Sequence, residues 1–238
     1  MGPLELSIAI VAVAVGAAVQ AGVGFGMNLV AAPVLAVLDP DLVPGPAIVA
    51  ALGLTILVSI RERTSIDRSG VGFALIGRVP GTVVGALLIA SIPDRGVSVA
   101  VAAGVFVAAG LSVAGLRLRP TLGTLLAAGV VSGFSSTVSS IGGPPIAIVY
   151  ANEPGPVVRG SLALIFVVGG FMSLAALAAV GDFGGEEVVA SLVLIPPGIL
   201  GYLAARPLAA HLDAGRSRAA VLALSMTTAL VVLVKELL

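Results

Sequence analysis

The sequence has no cysteine and a single histidine, His211. The first absence excludes disulfides, thiolate metal sites and a cysteine nucleophile, and the second leaves little for a histidine-based metal or acid–base centre. No cofactor is expected. Charge is scarce as well: 10% of residues are charged, against about 25% in an ordinary soluble domain. Twelve basic and twelve acidic side chains cancel, so no bulk attraction to nucleic acid is expected. The opening "MGPLEL" has an acid and no base, unlike the positive start of a cleavable signal peptide, so the first helix is expected to stay. No Asp or Glu stands well inside an apolar run. The usual carboxylate of a cation site or buried proton relay is therefore missing, which tilts the reading toward an anionic substrate. Carbonyls at helix C-termini remain able to hold a cation.

What is present is oil: 58% of residues are hydrophobic and mean hydropathy is +1.19. Apolar runs fall at 4–38, 43–60, 70–92, 96–116, 121–151, 157–180, 187–205 and 219–234, most near the ~20 residues that cross a bilayer. They are continuous and rich in Ala, Leu, Val and Gly, so they predict helices rather than the alternating strands of a barrel.

The chain also repeats itself. "PGPAIVAALGL" at 44–54 matches "PGPVVRGSLAL" at 154–164, and "PGTVVGALLIA" from Pro80 resembles "PGILGYLAARP" from Pro197. "GVGFGMNLVAAP" from Gly22 stands where "SIGGPPIAIVYA" from Ser140 stands. Two transmembrane repeats, 1–118 and 119–238, follow from this order, as in secondary transporters whose sites lie between repeats. The first and fifth runs are too long for one straight crossing, and each is broken, at "AGVGFG" and at "SSIGGPP". Glycine frees the backbone there and proline removes donors.

Each such run predicts a hairpin that enters and leaves on one side, and the basic residues arbitrate. Eight plain crossings would put five basic residues on one side and six on the other. Two re-entrant hairpins put Arg61, Arg63, Arg68, Arg117, Arg119, Arg159, Arg206, Arg216 and Arg218 together, against only Arg95 and Lys235. The resulting expectation is an all-helical membrane protein of two inverted repeats, each a broken hairpin plus three transmembrane helices. Both termini face outward, with Glu5, Asp39, Asp41, Asp94, Asp182, Glu186, Glu187 and Glu236.

Unwound backbone at membrane depth is tolerated only inside protein or beside a water-filled cavity. The second limbs are expected to start near Gly26 or Met27 and at Gly143 or Pro144, with N–H groups and positive dipole ends turned inward. Together with the hydroxyls around Ser136, Ser139 and Ser140, they would make a neutral cradle for a small anion. The expected substrate contacts are Gly24, Gly26, Asn28, Arg78, Ser136, Ser139, Ser140, Gly142, Gly143 and Pro144. The competing reading is that the hydroxyls only satisfy broken-helix carbonyls and that the glycines only permit packing. Asn28 would either donate to a ligand or cap its own helix. Arg78, the one ionisable side chain well inside a run, is either a substrate counter-ion or gate, or it snorkels to the interface. Gly77, Gly81 and Gly85 read as a packing stripe, and Tyr150, Asn152, Glu153 and Arg159 as a solvated rim. Asp39 and Asp41 read as the end of a limb. An intramembrane hydrolase would want a His, Lys or Asp partner for its serine, and none shares these spans.

"AGVGFGMNLVAAPVLAVL", "SGFSSTVSSIGGPPIAIVYA", "PGTVVGALL" and "PGILGYLAA" resemble the Gly-rich hairpins and Pro-Gly helices of the sulfite exporter TauE/SafE family of anion and sulfonate permeases. The likeness covers essentially the whole length. It carries over Gly22, Gly24, Gly26 and Pro33 in the first hairpin and Gly133, Gly142, Gly143 and Pro144 in the second, while Phe25, Met27 and Asn28 interrupt the family's fuller glycine cluster. It implies an ATP-independent permease for sulfite, sulfonates or related organic acids in the plasma membrane, with coupled protons and a homodimer left open. The alternatives are a carboxylate or cation permease, or a non-transporting membrane assembly or sensor subunit.

Overall fold

The structure, a computed structural model, describes residues 2–209 together with 226, 227, 229, 230 and 234. Most of the eighth run, with His211, Arg216, Arg218, Lys235 and Glu236, lies outside the described residues, as do the surroundings of Gly22 and the side chains of Asp94, Arg95 and Arg206. Among the described residues the regular structure is helical: α1 Pro3–Val23, α2 Met27–Leu38, a 3-10 turn Pro40–Leu42, α3 Gly45–Arg61, α4 Arg68–Ile89, α5 Asp94–Val113, α6 Leu122–Ser139, α7 Gly143–Val149, α8 Gly155–Val180 and α9 Gly185–Ala209. Seven stretches are long and apolar enough to cross a membrane, while α2 is a shorter apolar helix.

Local chemistry ends each limb where the sequence is broken. Helix α1 stops at Gly24 (φ 90°), and α2 begins after Gly26 (φ 118°), two left-handed conformations that glycine adopts without a Cβ penalty. Helix α6 starts from Thr121, whose hydroxyl and that of Thr124 cap each other's backbone N–H. It ends at Ser140, which holds φ 58° despite its side chain.

Both second limbs return along the first. Met27 lies against Gly16, and Val34 lines the same crevice as Ser7 and Ile8. In the second hairpin the Leu118 N–H donates to the Ile148 carbonyl at 3.1 Å, which brings the chain just before α6 to the end of α7. At 1.5 Å per residue, α2 is about 18 Å long and α7 about 10 Å, too short for a ~30 Å core. The first limbs are long, about 31 Å for α1 and 27 Å for α6. Gly24 touches the side chain of Arg159 in the first turn of α8. The first break therefore lies beside the start of α8.

The two ends of the bundle differ in charge. At one end Arg159 pairs with Glu62 at 3.4 Å, Arg61 donates to the Tyr202 hydroxyl at 3.4 Å, and the connection carrying Arg117 and Arg119 is tied to α7. Asp41, Gly45, Val97, Asp182 and Glu187 share a cleft at the other end, where Asp39 ends α2 and accepts from the Asp41 N–H. The first hairpin opens toward the acid-rich end and the second toward the Arg-rich end.

Helices α4 and α6 make the closest pair. A Cβ at Gly77 would overlap the Leu126 carbonyl, one at Gly81 the Val130 carbonyl, and one at Gly133 the backbone of Arg78. The stripe Gly77, Gly81, Gly85 thus packs backbone on backbone. Tyr150 differs from the rim expectation: it is fully buried in an apolar cluster with Val71, Ile146 and Leu162, while Asn152 is exposed.

Candidate functional site

The two chain breaks meet. Asn28, in the first turn of α2, donates through Nδ2 to the Ala47 carbonyl of α3 at 3.1 Å and to the Ser140 carbonyl at the end of α6 at 3.2 Å. It neither caps its own helix nor frees its amide nitrogen. It bridges the hairpins, and its buried Oδ1 has no hydrogen-bond partner among the described residues. This bond also steadies Ser140, whose hydroxyl donates to the Ser139 carbonyl at 2.6 Å. A serine held at positive φ beside a cavity is the kind of outlier that accompanies function.

Around this bridge lies a cavity of about 60 Å³ lined by Gln20, Phe25, Gly26, Asn28, Leu29, Ile48, Leu52, Thr55, Ser136, Ser140, Gly142, Gly143, Pro144, Phe166 and Gly170, among others. A water needs roughly 10–15 Å³ of such space, so the cavity has room for about four to six waters or a small solute in their place. Among the described residues, no charged one lines it.

Its donors differ from those expected. Pro144 and Pro145 carry no N–H, so the start of α7 offers few donors, and the Met27 N–H is taken by Gln20 Oε1 at 3.0 Å. The Thr55 hydroxyl donates to Ala51 at 3.0 Å within its own helix. The Ser136 hydroxyl and the Gln20 amide, whose Oε1 accepts from Met27, stand on the cavity wall as side-chain donors. Gln20 was missed in the sequence, although it is the only amide in the first limb.

The remaining expected contacts stand off this wall. Gly24 closes α1 against Arg159, and the Ser139 hydroxyl donates to the Ser135 carbonyl at 2.8 Å while its side chain meets Gly104 of α5. Arg78 is wholly buried rather than snorkelling. Its Nη1 donates to Ser132 Oγ at 2.8 Å, and Ser132 donates in turn to the Gly142 carbonyl at 2.7 Å. One hydroxyl therefore links the guanidinium to the second break.

The Arg-rich end is tied across the two halves of the chain. The Tyr150 hydroxyl donates to Asp67 Oδ2 at 3.0 Å, and Ser161 Oγ accepts from the Asp67 N–H at 3.0 Å. Burial and the adjacent Asp67 carboxylate push the Tyr150 phenol above its ordinary range. The raised value means that this link is intact below the unfolded pKa near 10 and is lost only as pH climbs through the folded value. Tyr150→Phe is expected to cost about 1.5–3 kcal/mol, the worth of a hydrogen bond to a charged group, seen as a lower melting temperature at pH 7. Alkaline absorbance titration should also lose the phase that belongs to Tyr150, which is readable because the chain has only two tyrosines and no tryptophan. An unchanged melt and titration would show that the link is not made.

Among the described residues no cluster of His, Asp and Glu could hold a metal ion. Residues 8–232 match a family model described as "Sulfite exporter TauE/SafE". No curated protein and no solved structure matches the chain.

Proposed function

The chain belongs to the sulfite exporter TauE/SafE family, a family of membrane transporters, and from that premise we propose that it is a secondary permease for small oxoanions such as sulfite or sulfonates. It would lie in the plasma membrane as two inverted repeats, 1–118 and 119–238, with its Arg-rich end inside and both termini outside. One observation carries the reading: hairpins opening toward opposite ends meet at one uncharged cavity, bridged by Asn28. Rocking of one repeat against the other would open the cavity to each side in turn. Ser136 and Gln20 would replace part of the anion's water, and the apolar wall of Phe25, Leu52 and Phe166 would keep the rest out.

The test is flux of labelled sulfite, methanesulfonate and small carboxylates into proteoliposomes, with and without a pH gradient. Saturable uptake competed by one class is expected, and a gradient effect would add protons as the coupling ion. No flux of any anion from folded protein would sink the reading. Orientation is tested separately, since the chain lacks cysteine. Ser65→Cys should label from inside, and Asp41→Cys and Gly184→Cys from outside; labelling of position 41 from inside would overturn the first hairpin.

A further inference from the structure

Arg78 carries more than its link to Ser132. Its Nε and Nη2 atoms, the two donors that lie side by side on one edge of the guanidinium, are both buried and have no partner among the described residues. That edge is the fork that grips two oxygens of one oxoanion at once. Thr82, one turn further on the same face of α4, is 3% exposed and its Oγ1 is also without a partner. No described carboxylate pairs with Arg78. A buried, unpaired cation is costly, and a water on the fork would satisfy a donor without offsetting the charge.

The fork faces α8 at Gly169, where a Cβ would overlap Nε. The next residue, Gly170, lines the central cavity. We propose that the Arg78 fork with Thr82 is a second anion-binding station, distinct from the central cavity and separated from it by the Gly169–Gly170 backbone. Its ligand is an oxoanion with at least two oxygens on one centre, two of them held by the fork, with the Thr82 hydroxyl donating to a further oxygen. The inference rests on the anion reading above for its ligand class. It adds a resting place behind α8, reached when the glycine pair shifts.

The test reads binding, not transport. In purified wild-type protein, sodium sulfite at about 100 times its Kd should raise the melting temperature by about 5 °C or more over sodium chloride of equal ionic strength. Arg78→Met should melt higher than wild type in sulfite-free buffer, since the unpaired charge is gone, and should keep only the smaller sulfite shift that the central cavity supplies. Arg78→Lys keeps the charge without the fork and should weaken sulfite binding at least tenfold. Gly169→Ala keeps Arg78 but puts a methyl on the fork, and its shift should fall to the same smaller value. If Arg78→Met and Gly169→Ala keep the wild-type shift, the station does not exist, whatever the flux. If wild type shows the Arg78-dependent shift but proteoliposomes show no flux, the site stands and the permease reading fails.

Discussion

Asn28→Asp is expected to insert and fold yet lose anion flux by about two orders of magnitude. The substitution replaces Nδ2 by an oxygen that faces the Ala47 and Ser140 carbonyls, where two hydrogen bonds had been. Each buried carbonyl left unsatisfied costs about 1–3 kcal/mol. The new carboxylate also stands on the wall of a cavity that has to accept an anion. At 1.4 kcal/mol per tenfold, a penalty of about 3 kcal/mol on the occupied state gives the hundredfold loss. Asn28→Ala removes the bridge without adding charge and should lose less, about tenfold. Flux in proteoliposomes at matched protein density checks both. If Asn28→Asp transports at the wild-type rate, the anion does not pass this cavity.

The breaks that build the cavity were legible because their causes are local. Gly24, Gly26 and the pair Pro144–Pro145 restrict or free their own backbone whatever the surroundings, and α2 and α7 begin at Met27 and Gly143, where the sequence put them. The family and the all-helical class were legible for the same reason: hydropathy and the hairpin motifs are properties of short segments. What Asn28 touches was not, since Ser140 lies 112 positions away and an amide in a first turn is equally suited to capping.

Depth and azimuth were the harder part. A helix that is apolar toward both lipid and protein has no polar face to orient it. Hence the sequence allowed Arg78 to snorkel, while the structure buries it between α4, α6 and α8. Tyr150 shows the same ambiguity at a helix end, where an aromatic suits an interface and a core equally well. Gln20 was passed over as part of an apolar limb; its significance comes only from the left-handed turn at Gly24 and Gly26, which brings the Met27 N–H back to it.

The largest loss of stability is expected from Gly81→Leu. Within a bilayer, helices gain little from the hydrophobic effect against one another, so α4 and α6 depend on close backbone approach. At Gly81 a side chain would meet the Val130 carbonyl and the Phe134 N–H, and neither atom is the tip of a flexible group. The helices must separate, and separation also pulls Arg78 from Ser132. Overpacking in a tight core costs about 1–3 kcal/mol, and here the loss of that buried bond to a charged group adds to it, so about 4 kcal/mol is expected. Gly72 supplies the contrast on the same helix, because a Cβ there meets nothing within 4 Å. Gly72→Leu should melt within a degree or two of wild type, helped slightly by leucine's better helix propensity. Melting of the purified variants in one detergent reads the difference directly. If the two substitutions melt alike, α4 and α6 are not in backbone contact, and the placement of Arg78 against Ser132 falls with it.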